Sequence, residues 1–157
     1  MRTAVMIGPI AVTTESWEES QADGTRATGC RVQLRQVRNA PPPSPPPLPR
    51  RDAVFWSIEE PIWRADLFSV VGGATPFDAA HYQPTFAGLV PSERVADPTI
   101  GADPFGWIEG RLTDLPAMLV EAGYPASVDA PDADDLRQAM PAVLASIRAT
   151  LDCRPGG

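Results

Sequence analysis

Residues 30–37, CRVQLRQV, decide the fold class because apolar and polar side chains alternate from Cys30 to Arg35. Successive side chains of a β-strand point to opposite faces, so Cys30, Val32 and Leu34 share one face and the arginines and glutamine share the other. A strand with one apolar and one polar face is typical of an antiparallel sheet that is buried on one side only. We therefore predict such a sheet, with its core on the Cys30 face.

The segments on either side extend this sheet. Residues 3–14 are rich in β-branched side chains and are interrupted by Gly8-Pro9, which predicts an edge strand or two short strands around a bend. Residues 15–29 are polar and rich in turn-forming residues, and Asp23-Gly24 is predicted to be the tip of the turn. Residues 54–71 alternate on both sides of Pro61, which predicts one long bent strand or two shorter ones.

The last third of the chain is predicted to be helical. Asp103 and Pro104 form an N-cap and first-turn pair, and Pro116 should break the helix that they begin. A final helix is expected from about 131 to 152. The predicted fold class is α+β: an antiparallel sheet of four to five strands from roughly the first 95 residues, covered on one face by C-terminal helices. We expect a single domain over residues 1–157.

A proline-rich loop is predicted at residues 40–51. Seven of the nine residues from Pro41 to Pro49 are proline, and such a run favours the extended polyproline II conformation. The loop is interpreted as a stiff connection between two strands. The alternative is a docking peptide for an aromatic groove.

Composition excludes several functions. All 13 basic residues are arginine, so Schiff-base catalysis, a pyridoxal phosphate anchor and a phosphate-loop lysine are excluded. Residues 1–51 carry seven arginines and four acids, whereas residues 52–157 carry six arginines and sixteen acids. Because phosphate neutralisation supplies most non-specific affinity for nucleic acids, this acidic body predicts no nucleic-acid partner.

The cysteines and the N-terminal apolar run carry little functional signal. Cys30 and Cys153 form no CxxC pattern, and the chain has one histidine, so we expect no metal and no cofactor. Two buried free thiols are the commoner arrangement, with a single disulfide as the alternative. The run AVMIGPIAV is too short to span a membrane, and we expect a cytoplasmic protein without a membrane partner.

The one histidine, His81, lies in the stretch FDAAHYQPTF. Arg64 and Asp66 stand at i and i+2 of a predicted strand and therefore project from the same face. If the irregular segment 76–101 folds over that face, His81 meets Asp66 or Glu60, and the carboxylate would fix its tautomer for acid/base chemistry. The candidate catalytic residues are His81, Asp66 and Glu60, and the candidate substrate-binding residues are Arg64, Tyr82, Arg94 and Trp63.

Two functions follow from these features. The first is a non-enzymatic binding or accessory protein that acts through a protein or small-molecule partner, or as a homo-oligomer; Trp17 and Trp63 are predicted to be exposed for this purpose. The second is a cofactor-independent acid/base enzyme that acts on a small carbonyl or carboxylate substrate, with His81 as proton shuttle. A pocket that contains His81 and a carboxylate favours the enzyme, whereas a flat apolar patch elsewhere favours the binding protein.

Overall fold

The computed structural model describes residues 2–20, 24, 26–41, 54–71, 80–124 and 130–152. Within these ranges the chain forms strands first and helices last: β1 (Arg2–Ile7), β2 (Ile10–Ser20), β3 (Arg26–Ala40), β4 (Phe55–Val71), β5 (His81–Gln83), β6 (Phe86–Ala87), β7 (Val90–Pro91), β8 (Val95–Ala96), α1 (Pro98–Ala102), α2 (Pro104–Thr113), α3 (Leu115–Glu121) and α4 (Ala133–Asp152). This order confirms the α+β class. The predicted proline-rich loop lies almost wholly outside the described residues.

The main sheet has six antiparallel strands in the order β1-β2-β3-β4-β5-β8, one more than predicted. Gly8, at φ 57°, and Pro9 connect β1 to β2 as a hairpin, so the apolar N-terminal segment forms two strands with β1 at the edge. The turn tip predicted at Asp23-Gly24 agrees with the structure, since Gly24 lies between β2 and β3 with φ 82°, but the turn is shorter than the polar stretch 15–29 suggested. Residues 15–20 continue β2 and residues 26–29 begin β3, because each finds a backbone partner in the β2–β3 ladder, which overrides their weak strand propensity.

Strand β4 runs through Pro61 as one strand. Its register with β3 shifts on both sides of the proline: Leu34 pairs with Trp63, but Arg35 pairs with Pro61 and Val37 with Ile58. A proline has no N–H to donate to a ladder, and a bulge is one of the few places in a sheet where that loss is tolerated. The bulge therefore divides β4 into an outer part, residues 55–60, and an inner part beside β5.

The core lies between the sheet and the helices, on the face that the alternation predicted. Cys30 and Val32 are fully buried there, and Trp63 and Leu67 of β4 pack beside them. The helices contribute the other half of the core: Ile100, Ile108, Leu112, Leu115, Met118, Leu119, Leu136, Met140, Val143 and Ile147.

The helix boundaries follow the predicted signals. The side chain of Asp103 accepts a hydrogen bond from Gly106 N at 2.9 Å, and Pro104 opens α2. Asp114 separates α2 from α3, and Pro116 occupies the first turn of α3. Helix α1 was not predicted; Asp97 caps it. No helix in the described ranges is long and apolar enough to cross a membrane.

Cys30 is a free thiol buried in this core. Burial raises the pKa of the thiol to about 12, because the thiolate would lose its hydration. The neutral thiol behaves as a small apolar side chain and is a poor nucleophile. The disulfide alternative does not hold for Cys30, while Cys153 lies outside the described residues.

We expect the buried Cys30 thiol to lower the free energy of unfolding as the pH rises into the alkaline range. Its folded pKa lies above the ordinary value of 9.0, so the stabilisation is complete below pH 9 and falls as pH rises toward about 12. The expected slope is about 1.4 kcal/mol per pH unit in that window. Urea denaturation at pH 8 and pH 10.5 would measure this loss of stability. The free energy of unfolding of Cys30→Ala should fall less steeply between the two pH values than that of the wild type. Equal slopes in the two proteins would contradict the assignment.

Candidate functional site

A row of ionisable side chains, called the charge row below, crosses the face of the sheet opposite the helices. It takes one residue from each of five adjacent strands, and each residue pairs in register with the next: Arg2, Glu15, Arg31, Asp66 and His81. At its outer end, Arg2 Nη2 lies 3.4 Å from Glu15 Oε2, and both side chains are exposed. Cross-strand neighbours of opposite charge attract each other, so the row favours this register of the sheet.

Asp66 contacts both of its neighbours in the charge row, Arg31 and His81. The Arg31 guanidinium donates Nε to Oδ1 at 2.8 Å and Nη2 to Oδ2 at 3.2 Å, which is the bidentate geometry of a strong arginine–carboxylate pair. These hydrogen bonds raise the pKa of Arg31. His81 Nε2 lies 3.7 Å from Asp66 Oδ2, and each of these two side chains is 6% exposed. The carboxylate is thus shared between a half-buried arginine and a buried histidine.

The meeting of His81 with Asp66 results from strand pairing. The sequence prediction relied on a loop folding over the sheet, whereas His81 opens β5 and pairs directly with Asp66 of β4. Glu60 is not part of this arrangement; it lies beyond the Pro61 bulge, where it lines a different cavity with Glu59. Sequence reasoning missed Arg31 as the partner of Asp66. The alternation places Arg31 on the polar face, but only the β3–β4 register places it opposite Asp66.

The candidate anion-binding arginines lie apart from this pair. Arg64 donates Nη1 to Gln83 Oε1 at 3.2 Å, and its guanidinium lies 5.3 Å from the centre of the Phe86 ring. Burial, and then the nearby Arg31, lower the pKa of Arg64. Arg94 is exposed in the connection between β7 and β8.

Tyr82 and Trp63 lie on the helix-covered face, across the sheet from His81. Trp63 is fully buried, so the prediction that it is exposed is wrong: its place on the apolar face of β4 puts it under α2. Ring centres are 6.2 Å apart for Trp63 and Tyr82, and 6.0 Å apart for Trp63 and Trp107. The Arg111 guanidinium lies 5.1 to 5.9 Å from all three ring centres and forms an ion pair with Glu121. These contacts stabilise the packing of α2 and α3 against the sheet.

His81 lines neither of two cavities whose walls consist of described residues. The larger, about 480 Å³, is a groove between α2 and α4. The other, about 330 Å³, is an open and polar cavity beside the Pro61 bulge, lined by Gln36, Arg38, Glu59, Glu60, Pro61, Ile62, Phe86, Gly88, Ala122, Gly123 and Tyr124.

The outer part of β4 carries an apolar stripe. Trp56 and Ile58 lie on the strand, Val54 immediately precedes it, and these three alternate residues are 50%, 40% and 66% exposed respectively. One edge of β4 pairs with β3, and the other pairs with β5 only at Arg64–Asp66 among the described residues. On that second edge, residues 55–58 therefore have no described strand as a partner. The stripe therefore combines exposed apolar side chains with a strand edge that is open with respect to the described residues.

The described residues include no group of three or more His, Cys, Asp or Glu side chains placed to hold a metal ion. No match to a protein-family model, a curated protein or a solved structure was found for this chain. The candidate function therefore rests on the geometry of its own residues.

Proposed function

We propose that this protein is a non-enzymatic binding protein, and that residues 54–58, which include the start of β4, bind an extended segment of a protein partner. The apolar stripe of Val54, Trp56 and Ile58 carries this proposal. An extended peptide that adds to an open strand edge gains main-chain hydrogen bonds, and exposed side chains at alternate positions supply specificity. Tryptophan is among the residues that most often dominate the energy of a protein interface.

The proposed partner is a strand because of the shape of the surface. The stripe is narrow, since its side chains project at every second residue of a single strand, and the open edge beside it runs in the same direction. A helix would cover the stripe but leave the N–H and C=O groups of the edge unpaired. A strand satisfies both the side chains and the backbone.

The acid/base enzyme is the second candidate, and the 3.7 Å approach of His81 to Asp66 favours it. Catalysis requires a substrate to reach the histidine, and 6% exposure of its side chain leaves little surface for that contact. Both oxygens of Asp66 already accept hydrogen bonds from Arg31. These observations support a structural role for the pair better than a catalytic one.

Trp56→Glu is expected to weaken partner binding at least about tenfold, because a buried interface tryptophan contributes about 2 kcal/mol or more. A photo-crosslinking residue at position 56 of the full chain should capture the partner in a lysate of the source cells. The matched control is position 89, since Leu89 is equally apolar and 70% exposed but lies outside the stripe.

Adducts that form at position 56 and disappear on competition with unlabelled wild type, but not with Trp56→Glu, would support the proposal. Adducts that form equally at both positions, or at neither, would overturn it. If the adduct at position 56 is a dimer of this chain, the partner strand is a second copy, and light scattering of the pure protein should then give twice the chain mass.

A further inference from the structure

The groove between α2 and α4 has the form of a small-molecule site that the proposed function does not use. Helix α4 has 20 residues and α2 has 10, which correspond to roughly 30 Å and 15 Å of length. The shorter helix cannot cover the whole apolar side of the longer one. A groove of about 480 Å³ results, within the range of small-molecule pockets.

The floor of the groove is apolar. Leu136, Met140, Pro141 and Leu144 of α4 line it. Met140 is buried while Leu144 is half-buried, so the apolar floor becomes more exposed to solvent along α4 from Met140 to Leu144. Pro141 has no N–H, so the Arg137 carbonyl lacks the donor that a regular helix would provide. An aliphatic chain is the ligand element that such a floor accepts.

The two ends of the groove are cationic. Arg137 and Arg148 are eleven residues apart, about three turns, and therefore lie on the same side of α4 with roughly 16 Å of helix between them. Arg137 is paired with Asp134, Nη2 to Oδ1 at 2.7 Å. Arg148 is held differently: its guanidinium lies 4.8 Å from the centre of the Phe105 ring of α2, and it has no ion-pair partner among the described residues.

Arg148 thus supplies a positioned positive charge at the mouth of an apolar groove, in a chain whose net charge is −7. Glu109 is the one carboxylate in the lining, and within the described ranges it forms no ion pair with either arginine. We propose that the groove binds a free aliphatic carboxylate, with the carboxylate at Arg148 and the chain along Met140 and Leu144. A guanidinium pairs with a carboxylate through two parallel hydrogen bonds, which also orients the ligand.

Calorimetric titration of the delipidated full chain with dodecanoate, below its micelle concentration, tests the site. Wild type should bind one equivalent. Arg148→Gln should bind roughly tenfold more weakly, because it loses a charged hydrogen-bond pair, and Glu109→Gln should bind more tightly, because it removes a repelling charge. Both changes are at exposed positions and should leave the fold intact. Arg38→Gln is the matched control, since Arg38 is exposed but lies outside the groove.

Two further ligands and one further variant complete the test. Acetate, which has no chain, and dodecyltrimethylammonium, which has the opposite charge, should both bind much more weakly than dodecanoate. Leu144→Trp should block binding by filling the groove. The proposal is overturned if dodecanoate gives no heat, if it binds no better than the cationic amphiphile, or if Arg148→Gln binds as tightly as wild type. A change in oligomeric mass for Leu144→Trp would assign the groove to a second copy of the chain and would equally overturn it.

Discussion

Replacing Asp66 with alanine is expected to lower the free energy of unfolding by about 3 kcal/mol, because two positive or polar neighbours lose their shared partner. The Arg31 guanidinium would lose both of its hydrogen bonds, and the buried His81 ring would face an empty space. We expect a smaller loss of stability than for a fully buried ion pair, because the Arg31 side chain is 31% exposed and regains some hydration. Urea denaturation followed by circular dichroism at pH 7 would measure the change.

The outer end of the same charge row provides the control for Asp66→Ala. Arg2 and Glu15 also form a cross-strand ion pair, but their side chains are 64% and 39% exposed. Glu15→Ala should therefore lower stability by less than about 1 kcal/mol. The loss of stability in Asp66→Asn should lie between those of Asp66→Ala and Glu15→Ala, since the amide keeps one oxygen acceptor for Arg31. If Asp66→Ala destabilises no more than Glu15→Ala, the inner pair contributes nothing beyond an exposed one.

A double-mutant cycle separates the pair from the rest of the site. Arg31→Ala alone leaves the buried carboxylate uncompensated, so it should also be destabilising. Combined with Asp66→Ala it should cost less than the sum of the two single changes, because neither charge is then left without its partner. Additive effects would mean that the two side chains do not interact in solution.

Much of the fold could be predicted from the sequence, because local patterns determine it. The alternation of residues 30–35 identified the buried face, and the Asp103-Pro104 pair identified the start of α2. The turn tip at Asp23-Gly24 was also placed correctly, but the polar residues on both sides of it were not recognised as strand. These polar residues belong to the long β2–β3 ladder, and a ladder depends on a partner strand that local sequence does not reveal.

The candidate site could be predicted only in part, because it depends on register. Proximity in sequence was enough to suggest Asp66 for His81, since the two lie on neighbouring strands. The pairing of Asp66 with Arg31, 35 residues away, required the register of β3 against β4. Trp63 was misassigned because residues 62–71 carry apolar side chains on both faces, so their alternation alone does not show which face is buried.

Gly29→Ala is expected to have the largest effect of any single methyl group added to this sheet. A Cβ at position 29 would lie 2.5 Å from the Leu67 carbonyl oxygen and 2.5 Å from Cζ2 of Trp17. Trp17 pairs with Gly29 across the β2–β3 ladder, so its indole lies over the glycine. The carbonyl belongs to the backbone of β4 and cannot move without disturbing the β3–β4 ladder.

We expect Gly29→Ala to lower the free energy of unfolding by about 3 kcal/mol, at the upper end for overpacking, because a backbone atom and a ring must both give way. Gly110→Ala is the matched control. Gly110 lies in α2 with open space around its Cβ position, so alanine there should raise stability by about 0.5 to 1 kcal/mol through helix propensity alone. Thermal denaturation of the two variants should therefore shift in opposite directions.

The second contact of Gly29 makes the prediction specific. Trp17→Ala in the Gly29→Ala background removes the indole but leaves the Leu67 carbonyl in place. The double variant should therefore lose less stability than the sum of the single changes, while remaining less stable than Trp17→Ala alone. Full recovery to the level of Trp17→Ala would show that the sheet backbone relaxes around the new methyl group and that only the indole opposes it. Strict additivity would show that Trp17 does not lie over Gly29 in solution, and that the close approach of β3 to β4 alone requires the glycine.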